Sequence, residues 1–385
     1  MIPTKVERIR ELMFKIGGVM TRPSVGMLAL AVKYPSILRT NDYWRKHYPE
    51  MLERLESVVW KGRGNPDSPS ALFDAAMAPY LSDPFRGSVE RRVMGPDESS
   101  LTMEIDAAAA VLEAAAMSVD EVDCYLSVGF QPKWAGYGNG VFVAKELGLG
   151  CPAINMETCC SGALVAFQHA CALVDSGQYK NVLVTVSCTY SIQCEPSGYL
   201  SLTSGDGAGA FIVGQVPEGY GYMGGKTVNT KETVGAMAFE LVVEPPNNTP
   251  RIKIVNRFSA AVVLRRTALN YLRTCVEGAC ERVGVSVDNI DFFVVNTPTA
   301  WYRDFCSAAL GVDKNKIMDT HRLYANTGPA LTTGNLYHAA AEKRITDGDL
   351  VLIYSVGSTS SASAAIVRWN EIALGPLPAP PTVIE

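Results

Sequence analysis

The chain has 385 residues, 48% of them apolar, and its 34 basic against 39 acidic side chains leave a formal charge of −5. That length exceeds what one hydrophobic core comfortably spans, so two packed halves are expected. Neither charge sign is gathered into long blocks, so nucleic acid is not expected as a partner, while local basic patches for a phosphate-bearing cofactor stay open.

Taken in chain order, basic KVERIRELMFK precedes apolar VGMLALAV near the start, which imitates a secretion signal. Arg22-Pro23 interrupts the run and no small-residue cleavage site follows, so a buried strand is expected there. Residues 51–85 lack a clear period, contain KGRGNPDSPS, and read as a loop-bearing insertion. From there, apolar periodicity predicts helix 103–117, strand 123–129, helix 139–147, strand 153–156, helix 162–176 and strand 181–187. The Gly-, Thr- and Asn-rich segment 214–258 is expected to hold a crossover and a hairpin. Helix 262–284, strand 291–296, helices 301–310 and 331–345 and strand 349–355 follow. The closing LGPLPAPPTVIE reads as a loose proline-rich tail, about 374–385.

No apolar run approaches the roughly 18 residues of a membrane span. The ten cysteines are scattered through apolar segments, as expected for reduced thiols in a cytoplasmic protein. No spacing matches a zinc site and there are only four histidines, so no metal is expected.

Two stretches copy each other. MSVDEVDCYLSVG (117–129) resembles VSVDNIDFFVVNT (285–297), with Ser118 and Ser286 168 residues apart. KNVLVTVSC (180–188) matches GDLVLIYSV (348–356), with Val182 and Val351 169 residues apart. Near-equal offsets at separated places point to a duplicated α/β unit, divided here as 1–215 and 216–385. Ligand sites in such sheets gather at the carboxyl ends of strands, where Cys159-Cys160 and Asn296-Thr297-Pro298 fall.

The run NMETCCSGALVAF (155–167) sets two cysteines before a helix. A cysteine opening a helix lies near the positive end of the dipole, which lowers its pKa and enriches the thiolate. Locally the same letters read equally well as an inert buried thiol. GDGAGAF (205–211) lacks the Lys-Ser/Thr of a phosphate loop; its small residues suit tight packing of two backbones, with Asp206 as a buried hydrogen-bonding carboxylate.

Several motifs in fixed order resemble the thiolase superfamily, most closely its ketoacyl-acyl-carrier-protein synthase III branch. YPSILRTND (34–42), FRGSVERR (85–92), METCCSGALVAFQHACALVDSGQYKNVLV (156–184), SLTSGDGAGAFIV (201–213), YANTGPAL (324–331) and YSVGSTSSASAAIVRW (354–369) carry the resemblance. It implies a thiolase-like five-layered α-β-α-β-α fold built from two duplicated halves, and a homodimer. It also implies an acyltransferase whose nucleophile is Cys160, since the family places that residue directly before a small residue and a glycine. Asn326 matches the family's catalytic asparagine, and the backbone N–H groups of Cys160 and of Gly357, within the run 357–359, match its oxyanion donors. No permanently bound cofactor is implied, only an acyl-CoA or acyl-ACP thioester as substrate and a small-molecule acceptor.

The sequence departs from the family in two places. Asn296 stands where the family has a histidine, so decarboxylative condensation is expected to be altered or absent, with acyl transfer in secondary metabolism the better reading. The other reading is a non-catalytic or partner-dependent subunit of a heteromeric ketosynthase. Arg86 matches the family's coenzyme A arginine, but the tryptophan position falls at about Ser82, which favours a donor carried on acyl-carrier protein. Arg91, Arg92, Arg265 and Arg266 are candidate contacts for such an acidic partner. His169 and His321 lie outside the histidine position, and Trp134 and Tyr137 are expected near the pocket wall.

Overall fold

A computed structural model of the chain describes residues 24–57, 67–134, 136–243, 250–257, 260–357 and 359–385. The basic stretch before Ser24, most of KGRGNPDSPS and Ser358 of the expected oxyanion run lie outside them. The apolar run near the start forms strand Val25–Lys33, buried along almost its whole length.

Two sheets repeat one topology. In the first, Ala153–Asn155, Cys124–Phe130, Val182–Thr189, Asp206–Gln215 and Val25–Lys33 lie side by side; in the second, Ile317–Met318, Phe292–Val295, Leu350–Gly357, Ser361–Arg368 and Gly221–Asn229 do. Along each sheet the successive pairings are parallel, parallel, antiparallel and antiparallel. The copied sequence motif does the same work in both. Glu121 accepts from the Ser118 N–H at 2.8 Å, and Asn289 from the Ser286 N–H at 2.8 Å, each closing a helical turn before the strand. Two residues beyond each turn, Asp123 and Asp291 accept the Asn181 and Leu350 N–H groups at 3.0 and 2.8 Å, tying the first strand to the start of the next.

Helices Gly162–Asp175 and Ala330–Ala341 are buried over most of their surface, as an all-round apolar helix requires, and pack between the sheets in one continuous core. Helix Ser100–Ala114 covers the outer face of the first sheet, and helices Ala260–Val283 and Tyr302–Leu310 that of the second. The result is the five-layered α-β-α-β-α arrangement. Gly209 shows why the glycine-rich strand must be small: a Cβ there would lie 2.5 Å from Thr333 Cγ2 of the central helix.

The proline-rich tail corrects the expectation of looseness. Ala373–Leu374 pairs with Ala29–Leu30, and Val383–Ile384 with Ile37–Leu38. Tyr337 Oη donates to the Gly375 and Pro376 carbonyls, and Arg39 meets the Glu385 carboxylate at 2.7 Å. Prolines lack N–H groups but keep their carbonyls, so an extended edge segment can be fastened through acceptors and two short pairings. Within 51–85, helix Ala71–Met77 packs on helix Tyr302–Leu310 through Phe73 and Phe305, whose rings are 5.2 Å apart. The 214–258 segment supplies strand Gly221–Asn229 and the hairpin Met237–Val243/Pro250–Asn256, a separate two-stranded sheet.

Candidate active site

The Cys159-Cys160 pair sits where strand Ala153–Asn155 has ended and the first central helix begins. Cys159 takes a positive φ of 56°, unusual for a side-chain-bearing residue, and Cys159–Ser161 form one 3-10 turn. Three polar contacts hold this turn. Glu157 accepts from the Cys159 N–H at 2.5 Å, Ser161 Oγ donates to the Thr158 carbonyl at 2.7 Å, and Ser355 Oγ donates to the Cys160 carbonyl at 2.9 Å. Gly162 must be small, because a Cβ would stand 2.4 Å from Val128 Cγ1.

Cys159, Cys160, Tyr190 and Asn326 line one cavity of about 220 Å³. Its remaining walls are largely apolar and come from distant parts of the chain: Met237 and Phe239 of the hairpin, Leu264 and Tyr271 of helix Ala260–Val283, and Phe73 from the insertion. Trp134 and Tyr137, expected at the pocket wall, are instead 47% and 75% exposed and do not line it. Phe130, just before them in the chain, takes the wall position instead, packed edge-on against Phe239 at 4.9 Å.

The thiol does not carry the lowered pKa expected of a helix start. Cys160 is 8% exposed; burial pushes its pKa up to about 12, the neighbouring Cys159 adds to this, and the bond from Tyr190 Oη opposes it. Desolvation by apolar walls outweighs the helix dipole, whose effect is worth about 1 kcal/mol or less in ordinary settings. Burial also raises Cys159, against the opposing bond with Thr359 Oγ1 at 3.2 Å.

The two expected amides are used differently. Asn296 Nδ2 donates to the Val356 carbonyl at 3.3 Å, its Oδ1 accepts the Val356 N–H at 3.1 Å, and its own N–H donates to the Tyr354 carbonyl at 3.0 Å. It thus prolongs the strand pairing with side-chain atoms and does not line the cavity. Asn326 does line it, with Oδ1 accepting the Gly328 N–H at 2.9 Å. Gly357 packs on the Cys159–Ser161 turn: a Cβ there would lie 2.6 Å from the Thr158 carbonyl and 2.7 Å from Ser161 Oγ.

No imidazole reaches this cavity among the described residues. His321 is fully buried elsewhere, with Nδ1 on the Thr297 carbonyl and Nε2 on Ser88 Oγ, both at 2.9 Å. Burial lowers its pKa to about 4, so it is neutral near pH 7 and fixes the loop after Asn296. His169 Nδ1 lies 2.8 Å from the Val165 carbonyl of its own helix.

The expected basic contacts are corrected. Arg86 is buried and donates Nη1 to the Tyr80 and Leu81 carbonyls. Arg91 is fully buried on the Leu202 and Val89 carbonyls and on Asn41, and Arg92 reaches the Pro35 and Ala379 carbonyls at 2.8 and 3.0 Å. These guanidiniums satisfy carbonyls where loops cross, which an Arg-rich stretch of sequence does not distinguish from a docking patch. Arg265 pairs with Asp74 at 3.2 Å, and Arg266 alone of the five is exposed.

Two family models match the chain: 3-oxoacyl-[acyl-carrier-protein] synthase III over residues 154–230, and the C-terminal part of the same synthase over 280–369. The beta-ketoacyl-[acyl-carrier-protein] synthase III of Brucella anthropi is 27% identical over 287 residues, 74% of this chain and 88% of the relative. That of Desulfitobacterium hafniense is 26% identical over 332 residues, 82% of this chain and 98% of the relative. Among solved structures, the synthase III of Thermus thermophilus superposes with a TM-score of 0.73 at 23% identity, over 89% of this chain and 99% of that one. Cerulenin-bound OleA of Xanthomonas campestris gives 0.74 at 18%, over 91% and 98%. The ordered motifs, the doubled five-layered fold and these likenesses together support the thiolase superfamily, and within it the synthase III-like condensing enzymes, as the family this chain resembles.

Proposed function

We propose that this protein is an acyltransferase in which Cys160 takes an acyl group from a thioester and passes it to a small-molecule acceptor in secondary metabolism. The supporting observation is a division of labour between the two amides: Asn326 shares the cavity with Cys160, while Asn296, at the family's histidine position, is spent on the Val356 backbone. Loading needs only exchange at the carbonyl. The bond from the acyl carbon to the carrier sulfur breaks, a bond to Cys160 Sγ forms, and the thiol proton leaves with the departing carrier thiol. Decarboxylative condensation needs in addition donors for the enolate, and here only one of the family's two side-chain donors lines the cavity.

A cavity of about 220 Å³ suits a compact acyl group, given that a ~150 Å³ cavity takes a benzene ring. Because Arg86 faces inward and Ser82 stands at the tryptophan position, an acyl-carrier protein is the favoured donor over coenzyme A. We assign the nucleophile to the half 1–215 and Asn326 to the half 216–385. The edge strand Ala153–Asn155, with Ile154 45% exposed, is the surface through which a homodimer would join its sheets. Among the described residues no helix is long and apolar enough to cross a membrane, and a cytoplasmic setting fits the ten free thiols.

The second reading, a partner-dependent subunit, draws on the thiol's pKa near 12. Intact-mass measurement separates the two. Incubation with a panel of acyl thioesters on carrier protein and on coenzyme A is expected to leave one acyl adduct, absent in Cys160→Ala. No adduct from any donor, or one that survives Cys160→Ala, overturns the acyltransferase.

A further inference from the structure

The turn after strand Val182–Thr189 carries a residue that neither the family motifs nor the acyl-transfer chemistry above has used. Tyr190 Oη lies 3.7 Å from Cys160 Sγ. The sulfur also meets its own backbone N–H, so the tyrosine is its one side-chain hydrogen-bond partner among the described residues. The ring is buried and meets Phe130 edge-on at 5.6 Å. For packing alone, phenylalanine would serve better, since a buried hydroxyl costs free energy unless it is satisfied. Tyr34 buries its hydroxyl with no partner among the described residues, whereas the Tyr190 hydroxyl has the sulfur within reach, and the acceptor that benefits most from it is a thiolate.

The turn itself is clamped. Asp206 accepts the Ser191 N–H at 2.8 Å, the Ser191 hydroxyl at 2.5 Å and the Met94 N–H at 3.0 Å. This fixes the residue after Tyr190 from the glycine-rich strand, and Gly328 packs close to the tyrosine ring from the asparagine loop. The hydroxyl is thus held at the sulfur by two separate parts of the fold.

We propose that Tyr190 is a catalytic residue: its hydroxyl donates to the Cys160 sulfur and stabilises the thiolate at the moment of attack, in a site without an imidazole. Tyr190 keeps its own proton throughout; the thiol proton departs with the carrier thiol, so no other acid or base is consumed. This rests on Cys160 being the nucleophile, but its test does not rest on any acyl donor.

Cys160 carboxamidomethylation by iodoacetamide is followed against pH in the full chain, with Cys159 and Cys160 resolved by fragmentation. Tyr190→Phe is expected to slow Cys160 alkylation ~3- to 10-fold at every pH between about 7 and 9, leaving Cys159 unchanged. Replacement of Tyr190 by 3-fluorotyrosine, a more acidic phenol of nearly the same shape, keeps the test open if the phenylalanine variant fails to fold; it is expected to speed Cys160 alkylation over the same range. Unchanged Cys160 profiles in the folded variants overturn the role. Tyrosine-dependent alkylation with no acyl adduct from any thioester would instead sink the acyltransferase and leave the pairing standing.

Discussion

The starts of the two central helices are built alike and equipped differently. In the first half, Cys159 at φ 56° precedes Cys160, three residues before helix Gly162–Asp175; in the second, Ala325 at φ 55° precedes Asn326, five residues before helix Ala330–Ala341. Each half thus places a strained residue immediately before the one that faces the cavity, which is where stored strain tends to collect. The repeat offset of 168 between the helix starts pairs Cys160 with Gly328, so the two turns are not copies of one another: each half reached a strained turn at the cavity by its own route, one carrying a thiol and the other an amide. The lesson is that the shared geometry presents a side chain, while the side chain alone decides the chemistry.

The strongest way to break this comparison is to unseat the asparagine turn from Gly205, on which it rests. Gly205 donates its N–H to the Asn326 carbonyl at 2.9 Å, and a Cβ there would lie 2.4 Å from the Tyr324 carbonyl, a backbone atom that cannot swing aside. Gly205→Ala is expected to cost about 3 kcal/mol or more by denaturant unfolding and to abolish acyl loading. Gly162→Ala strikes a side chain instead, Val128, which can repack, so a smaller loss of about 1–3 kcal/mol is expected. Equal losses in the two would show that the asparagine turn is no more rigidly seated than the Cys159–Ser161 turn.

What could be read from the letters follows from range. Helices, strands and the doubled unit show in local periodicity, and the Ser-Val-Asp motif even foretells the capping it performs in both halves. Cys160, Asn326 and the buried Asp206 were legible because each lies in a short run whose neighbours are constrained with it. The direction of the thiol's shift was not, because burial of Cys160 comes from walls such as Phe239 and Tyr271, remote in sequence. Arg86, Arg91 and Arg92 read as surface charge for the same reason: the carbonyls they satisfy lie on other loops. Tyr190 carried no signal at all until the sulfur was beside it. A positive φ at Cys159 and Ala325 leaves no trace in composition, since glycine occupies neither.

The two amides give a sharper and smaller contrast. Asn326→Ala is expected to leave acyl loading within about threefold and to slow transfer to the acceptor ~10- to 100-fold, read by single-turnover mass spectrometry. Asn296→Ala should differ in both readouts: transfer persists along with loading, and stability falls by about 1–2 kcal/mol as the Val356 N–H and carbonyl lose their partner. Loss of transfer in Asn296→Ala with stability intact would return that residue to the reaction.

The smallest expected effect is a near-cancellation between one buried titrating group from each half. Burial lowers His321 to about 4 from an ordinary 6.5, so the folded state prefers it neutral; its contribution is complete above pH 6.5 and is lost as pH falls toward 4. Burial raises Asp206 from 3.8 to about 6, against the opposing bonds from Ser191 and Met94, so the folded state prefers it protonated; that contribution is complete below pH 3.8 and is lost as pH rises through 6. Between about pH 4 and 6 the unfolded chain binds the proton that His321 refuses, and the folded chain holds the one that Asp206 keeps. The two slopes are each about 1.4 kcal/mol per pH unit and opposite in sign, so their sum is close to flat. Asp206→Asn removes one of them. Relative to the parent, its unfolding free energy is expected to gain about 1.4 kcal/mol per unit of slope between pH 4 and 6, rising with pH, and to match the parent's slope above pH 7. Parallel curves across the whole range would mean that Asp206 is ionised in the folded protein, its charge fully met by the Ser191 and Met94 donors.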